Sequence, residues 1–250
     1  MKKIHIVFLI ALIFVASSCG NKVSVNRSEI CYYVVDERYD GHTTAYSETL
    51  GLLRDSLDAQ LDVVVGSAAR NLTSYRPESP LSNWESDAIL DMARQYSGRS
   101  VDASVMNMGG IRCDLVAGDI TMRRVFELMP FENKLVYVSM LGSDIDSLCQ
   151  VFAACHGQGV GGMSMVLRGG RATDICIGGQ PLDAARTYVV ATSDYLAGGK
   201  DQMTPFLRGE VVATDITLRD LFLAYIKRST DAGQPIDAQL DGRITYYDGE

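Results

Sequence analysis

The chain has 250 residues and a formal net charge of -8 at pH 7, with 47% hydrophobic and 22% charged residues. These are ordinary globular values, and the length allows one sizeable core, or one domain with an additional arm. The negative charge argues against nucleic acid as the main partner, because binding a phosphate backbone requires a basic surface. An anionic ligand would therefore have to meet individual arginines.

The first 19 residues have the pattern of an export signal. Lys2 and Lys3 precede an apolar run at residues 4–15, which is too short to span a bilayer comfortably as a permanent helix. Small residues then precede Cys19, as in a bacterial lipobox. We predict that Cys19 becomes the lipidated first residue of an exported, membrane-anchored protein that faces the periplasm. Ordinary signal cleavage stays an alternative, because Ala16 stands where Leu or Val is more usual.

The remaining cysteines do not have the spacing of a metal site. They are Cys31, Cys113, Cys149, Cys155 and Cys176. Since no Cys-x-x-Cys pair occurs, a structural zinc site is not predicted. We expect most of these thiols to be buried as small hydrophobic side chains, although export would permit a disulfide.

The hydrophobic pattern predicts an α+β fold. Residues 20–60 are expected to form a tether and an N-terminal arm, with a short strand at 31–35. Residues 61–248 are expected to form a single mixed-sheet domain with flanking helices. The predicted helices span residues 49–61, 82–96, 123–128, 145–154 and 218–228. The predicted strands span residues 61–66, 101–106, 135–140, 163–167, 171–177, 188–192 and 242–247. The glycine-rich segment at 157–162 is predicted as a loop.

The most informative stretch is residues 107–112, Asn-Met-Gly-Gly-Ile-Arg, which follows the strand predicted at 101–106. A Gly-Gly turn lets the backbone approach a ligand closely, since glycine has no Cβ. Asn107 offers an amide with donor and acceptor groups, and Arg112 offers a planar cation suited to carboxylate or phosphate. The alternative is a tight turn in which both side chains bond only nearby backbone.

Two further loops carry residues of the same kind. Phe131 and Tyr195 are aromatic side chains in the loops at 130–133 and 195–201, and Asp201 ends the second loop. Two aromatic faces can hold a flat ring between them, and a carboxylate can accept hydrogen bonds from a ribose diol. The alternative is structural, with Phe131 in the core and Asp201 in a turn.

Together these motifs resemble the C-terminal domain of the 5'-nucleotidase family. The resemblance covers residues 62–247, and the motifs occur in the family's order. Residues 76–83 resemble the segment that opens the domain, and residues 107–112 match the family's Asn-x-Gly-Gly-Ile-Arg. Residues 130–133 match Pro-Phe-x-Asn, and residues 195–201 resemble Phe-x-Ala-x-Gly-Gly-Asp-Gly.

The resemblance implies a substrate-binding role for six residues. Phe131 and Tyr195 would sandwich the base, Asn107 would contact its edge, and Asp201 would accept from the ribose hydroxyls. Arg112 would meet the phosphate.

A further phosphate-contacting arginine is implied at Arg76, although an ungapped comparison places Tyr75 there. The chain also departs from the family pattern: Lys200 and Gln202 replace glycines of the last motif, and Ser82 replaces a usual glycine. A side chain at Lys200 could crowd the ribose or change the loop.

The same resemblance implies that catalysis takes place elsewhere. Family members hydrolyse phosphate esters with two metal ions, held about 4 Å apart by His and Asp ligands of an N-terminal metallophosphoesterase domain. This chain has only His5, His42 and His156, none in an Asp-x-His or Asn-His-Asp setting, and the arm before residue 62 is far shorter than such a domain. We therefore expect no catalytic residue, metal site or cofactor in this chain, and no activity in the chain alone.

Three hypotheses follow for function. The first is an exported nucleotide- or nucleoside-recognition domain of a split 5'-nucleotidase, which positions substrate for a separately encoded metallophosphoesterase subunit. The second is a nucleoside- or nucleotide-binding lipoprotein without a catalytic partner. The third is a structural relic in which Lys200 has closed the pocket.

Overall fold

The computed structural model describes residues 27–32 and 45–247. The chain divides into two compact units, Met1–Thr49 and Leu50–Glu250. The export signal with Cys19, and most of the strand predicted at 31–35, lie outside the described residues. In the first unit the helix α1 (Ala45–Leu61) begins, four residues earlier than predicted.

The second unit has the predicted α+β class, with mixed sheets flanked by helices. Single-turn 3₁₀ helices cover Met108–Gly110 and Thr204–Arg208. The other elements are, in chain order, β1 (Val64–Ala68), α2 (Pro80–Ser97), β2 (Ala103–Met106), β3 (Gly118–Thr121), α3 (Met122–Leu128), β4 (Lys134–Leu141), α4 (Gly142–Ala154), β5 (Gly159–Gly161), β6 (Met163–Arg168), β7 (Arg171–Ile177), β8 (Gln180–Pro181), β9 (Thr187–Ser193), α5 (Asp194–Ala197), β10 (Glu210–Thr217), α6 (Leu218–Asp231) and β11 (Ile244–Tyr247).

A five-stranded sheet, in the order β10-β4-β9-β2-β5, forms the centre of this unit. β2 and β9 are parallel, and the other pairs are antiparallel. Side chains of β4 alternate between two cores, as the two-residue period of a strand requires. Val136 and Val138 pack with Phe152 of α4 on one face, whereas Leu135 packs with Phe222 of α6 on the other.

Two smaller sheets flank the central one. Four strands pair in the order β11-β6-β7-β8, and β1 pairs with β3. The strand predicted at 61–66 begins later than expected, at Val64, because α1 continues to Leu61. The predicted sheet is thus present, but it is one of three.

The glycine-rich segment at 157–162, predicted as a loop, contains β5, so that prediction is wrong. A Cβ on Gly161 would lie 2.5 Å from the Ser104 Oγ and 2.9 Å from the Ser86 carbonyl oxygen. A Cβ on Gly159 would lie 3.0 Å from the Met106 carbonyl oxygen. Here glycine permits the close approach of α2 to the sheet, rather than a turn.

β10 was absent from the predicted elements. It lies at the edge of the central sheet, where Val211 pairs with Val138. Val211 and Val212 are both exposed. Because neighbouring side chains point to opposite faces, both faces of this edge strand are exposed there, and it buries too few side chains to give a clear apolar pattern.

A buried carboxylate ties the start of α2 to the C-terminal strand. Glu78 accepts from the Asn83 Nδ2 at 2.7 Å and from the backbone N–H of Asp241 at 2.8 Å. Nearby, the guanidinium of Arg243 donates to both oxygens of Asp87 at 2.9 Å. The segment that resembles the family's opening motif therefore also holds β11 in place.

Glu85, on α2, is fully buried, and neither of its carboxylate oxygens has a hydrogen-bond partner within the described part of the chain. Loss of solvation raises the pKa of this carboxyl well above its usual range. A raised native pKa means that the folded state holds its proton more strongly than the unfolded chain. The contribution of Glu85 to stability is therefore greatest below the unfolded pKa of about 4.3 and declines as the pH rises toward the folded pKa.

We predict that Glu85→Gln removes this decline. The free energy of unfolding of the variant, relative to the native protein, should grow with pH above about 4.3 by up to about 1.4 kcal/mol per unit. Urea unfolding between pH 4 and 8 measures it, with Glu210→Gln on the exposed edge strand as the control. Parallel pH profiles for Glu85→Gln and the native protein would contradict the prediction.

Candidate functional site

A cavity of about 280 Å³ opens at the end of the central sheet where β2 and β9 terminate. Five of the six predicted binding residues line it, together with two glycines and one further asparagine. The lining residues are Asn107, Gly109, Gly110, Arg112, Phe131, Asn133, Tyr195 and Asp201. Their roles in binding remain predictions, but residues separated by up to 94 positions in sequence meet at one place.

The strand order explains why these residues meet. β2 and β9 are parallel neighbours, so their C-terminal ends lie at the same edge. β4 runs antiparallel to β9, so its start reaches that edge too, with Leu135 opposite Ser193. The loops after β2, before β4 and after β9 are consequently adjacent, in the manner of ligand sites at strand ends.

Each loop is held by a residue that the sequence analysis did not select. The buried Gln158 accepts from the Met108 N–H at 2.9 Å. Asp194 accepts from the backbone N–H groups of Lys134 and Tyr195, at 3.1 and 2.8 Å. No local motif identified these two anchors, because their partners lie in other loops or on the backbone.

Arg219 supports the loop that carries Phe131. This arginine on α6 is nearly buried and bonds to the Glu132 carboxylate at 2.9 Å and to the Pro130 carbonyl oxygen at 3.4 Å. Its guanidinium also lies 4.3 Å from the centre of the Phe126 ring. In the sequence, Arg219 is only a charged residue at the start of an amphipathic helix. Such a residue is usually solvated, so nothing marked it as a support for the loop.

Asn107 is 5% exposed and uses half of its amide within the protein. Its Nδ2 donates to the Asp201 Oδ2 at 2.8 Å, whereas its Oδ1 has no partner among the described residues. A buried acceptor without a partner is costly, so it is suited to a donor from a ligand or water. A Cβ on Gly110 would lie 2.6 Å from the Met106 Cε and 3.0 Å from the Asn107 Oδ1, so glycine leaves room beside the unpartnered acceptor.

Arg112 and Phe131 form the outer part of the cavity. The Arg112 guanidinium lies 5.8 Å from the centre of the Phe131 ring, and its Nη1 donates to the Gly109 carbonyl oxygen at 3.3 Å. The arginine is exposed and Phe131 is 42% exposed. Phe131 is therefore not a core residue, which was the structural alternative for it.

Asp201 lies in a left-handed turn. Its φ is +52° and that of Gln202 is +64°, a region that disfavours residues with a Cβ by about 1–2 kcal/mol. The Asp201 Oδ1 accepts from the Tyr195 hydroxyl at 2.8 Å, and this bond raises the pKa of Tyr195. The glycine expected at position 202 from the family pattern thus matches a real backbone requirement, which this chain meets with glutamine.

Arg76 and Lys200 are not among the residues that line the cavity. The Arg76 Nη1 donates to the Gly157 carbonyl oxygen, on the segment that leads to Gln158. The carbonyl oxygen of Lys200 accepts from the Met203 N–H in the turn after the cavity. The bond to the Gly157 carbonyl uses one of the five N–H donors of Arg76, so a phosphate contact by Arg76 stays a prediction.

Within residues 27–32 and 45–247, no group of three or more His, Cys, Asp or Glu side chains lies where it could hold a metal ion. None of the helices in that part of the chain is long and apolar enough to cross a membrane. Of its free cysteines, Cys149 is buried whereas Cys31 is exposed and the other three are intermediate, so the expectation that most thiols are buried is wrong.

Residues 59–208 match the family described as 5'-nucleotidase, C-terminal domain. The chain belongs to the 5'-nucleotidase family. All six predicted binding residues lie inside the matched segment, and so does the whole cavity.

Individual family members agree with this assignment. Protein UshA of Yersinia enterocolitica is 30% identical over 75% of this chain and 35% of its own length. The cell wall protein Lmo0130 of Listeria monocytogenes is 31% identical over 68% of this chain and 24% of its length. The structure of a 5'-nucleotidase precursor from Thermus thermophilus superimposes with a TM-score of 0.72 and 25% identity, over 82% of this chain and 43% of that one. The chain spans about a quarter to a third of the length of these two curated relatives.

Proposed function

We propose that this chain is a nucleotide- or nucleoside-recognition domain that positions its substrate for a separately encoded metallophosphoesterase, the two forming a split 5'-nucleotidase. The observation that carries the proposal is that Asn107, Arg112, Phe131, Tyr195 and Asp201 line one and the same cavity. It combines two aromatic rings, one cation, one amide and one carboxylate. A nucleotide offers a matching ring, phosphate, base edge and ribose.

Each contact has a physical basis in the geometry. Phe131 and Tyr195 both line the cavity and are 42% and 39% exposed, so part of each ring is accessible to a base. The unpartnered Oδ1 of Asn107 can accept from an N–H on the edge of that base. Arg112 donates one hydrogen bond to the Gly109 carbonyl oxygen, and its other N–H donors can bind a phosphate.

The catalytic partner is proposed on the basis of family membership. The matched segment is the family's C-terminal domain, and the curated relatives are about three times as long as the aligned part. Hydrolysis of a phosphate ester by two metal ions requires a cluster of metal-binding side chains. In this proposal the partner subunit supplies those side chains and this chain supplies the substrate's position.

We further propose that the protein is exported and anchored through a lipid on Cys19. The pattern of residues 2–19 supports this location, and one relative is named as a cell wall protein. A lipid anchor would hold the binding domain at the membrane surface, where it could meet a partner subunit.

The first test of function is binding. Phe131→Ala should weaken the binding of both adenosine and AMP about ten- to hundredfold, because one stacking face is lost.

Arg112→Ala should weaken the binding of AMP more than that of adenosine, because only AMP carries a phosphate. Calorimetric titration measures both. Tyr247→Ala and Arg168→Ala are the controls, since the exposed Tyr247 ring and the Arg168 guanidinium that stacks on it both lie outside the cavity. Unchanged affinities in the Phe131 and Arg112 variants would refute the assignment.

The second test concerns catalysis. The isolated chain should release no phosphate from AMP with Mn²⁺, Zn²⁺ or Co²⁺, and it should co-purify with a metallophosphoesterase from its native cells. Activity that follows this chain through purification would contradict the first expectation. Nucleotide binding without any such partner would favour a binding lipoprotein instead of a split nucleotidase.

The third test concerns the anchor. Cys19→Ala should abolish lipidation, so the protein should become soluble or remain unprocessed. Membrane fractionation and mass spectrometry of the N-terminus report the outcome, with Cys31→Ala as a matched cysteine control. If the Cys19 variant fractionates and is processed like the native protein, the lipid anchor is wrong.

A further inference from the structure

The carboxylate in the cavity already has two donors from the protein itself. Asp201 accepts from the Tyr195 hydroxyl through Oδ1 and from the Asn107 Nδ2 through Oδ2, both at 2.8 Å. Asn107 is buried, whereas Tyr195 and Asp201 are exposed to solvent. The bond from Tyr195 is therefore the one that a ligand can reach and replace.

We propose that the Tyr195 hydroxyl competes with the sugar hydroxyls of a bound nucleoside for Asp201, so that the site discriminates weakly between ribose and deoxyribose. The proposal rests on the function proposed above. A ribose hydroxyl that binds the Asp201 Oδ1 must displace the phenol or share the oxygen with it. Displacement exchanges one hydrogen bond for another, and sharing leaves two donors that weaken each other on one oxygen, so in either case the net gain from that hydroxyl is small.

A deoxyribose ligand leaves the bond between Tyr195 and Asp201 in place. Its affinity is therefore only slightly lower than that of the ribose ligand, although it lacks a hydroxyl. In a site whose carboxylate is free, the same missing hydroxyl would cost a full hydrogen bond to a charged group. The aromatic ring of Tyr195 can serve as a stacking face in either case, so its hydroxyl acts on sugar choice separately from base binding.

Tyr195→Phe separates these two roles. The variant keeps the ring and removes only the donor, which frees the Oδ1 of Asp201. Because Asp201 is exposed, water can solvate the freed oxygen, and no buried unpaired charge is created. The variant should therefore fold normally and gain affinity for ribose ligands alone.

The test is calorimetric titration of adenosine and 2'-deoxyadenosine into the mature protein and its variants. The native protein should bind both within about threefold, and Tyr195→Phe should raise the preference for adenosine by a further 3- to 10-fold, about the net value of one hydrogen bond. Tyr246→Phe is the matched control, because its hydroxyl also makes a hydrogen bond, to the His156 carbonyl oxygen, away from the cavity. The double variant Tyr195→Phe/Asp201→Asn should lose the gained preference, because the freed carboxylate is then absent.

Three results would overturn the proposal. Equal weakening of both ligands in Tyr195→Phe would mean that the hydroxyl only orients the ring. A strong preference of the native protein for adenosine would mean that Asp201 is already available to the ribose. If neither nucleoside nor AMP binds any variant, the proposed function itself fails and this inference falls with it. The first two results, in contrast, leave nucleoside binding intact.

Discussion

The site depends on the pairing of β9 with both of its neighbours. β9 is parallel to β2 and antiparallel to β4. The C-terminal ends of β2 and β9 and the start of β4 therefore lie side by side at the same end of the sheet. If β4 were parallel, the loop with Phe131 would lie at the opposite edge, far from Asp201. The position of the cavity is thus a consequence of strand direction. The side chains of the three loops then determine which ligand the cavity can bind.

Polar side chains hold the loops around the cavity, and two of them, Gln158 and Arg219, are buried. Gln158 bonds to the loop at 107–112 and Arg219 to the loop at 130–133, whereas the exposed Asp194 joins Tyr195 to the start of β4. A polar side chain within a folded unit stabilises a position only when its partners are correctly placed, so these contacts restrict the loops more than apolar packing would. This gives the cavity a defined shape although its walls are loops.

The sequence predicted the regular elements of the core better than their surroundings. β4 and α6 were found within a few residues, because their apolar side chains follow the two- and 3.6-residue periods. β10 was missed because it is an exposed edge strand, and β5 was mistaken for a loop because its glycines serve close packing against α2. The five cavity residues could be selected from family motifs, but the anchors could not, since hydrogen bonds across loops leave no local pattern. Arg76 does not line the cavity and donates to the Gly157 carbonyl oxygen, so its predicted contact with phosphate rests on the motif alone.

The departures from the family pattern are concentrated at one turn. Asp201 and Gln202 both adopt left-handed backbone angles, although only the glycine of the pattern would do so without strain. The bond to Asp201 from the Nδ2 of the buried Asn107 helps to offset that strain, because it is a bond to a charged acceptor. The exposed Tyr195 hydroxyl bonds to the other oxygen of the same carboxylate, where water can take its place. Asn107 therefore stabilises the turn, and Tyr195 occupies the acceptor that the turn presents to the cavity.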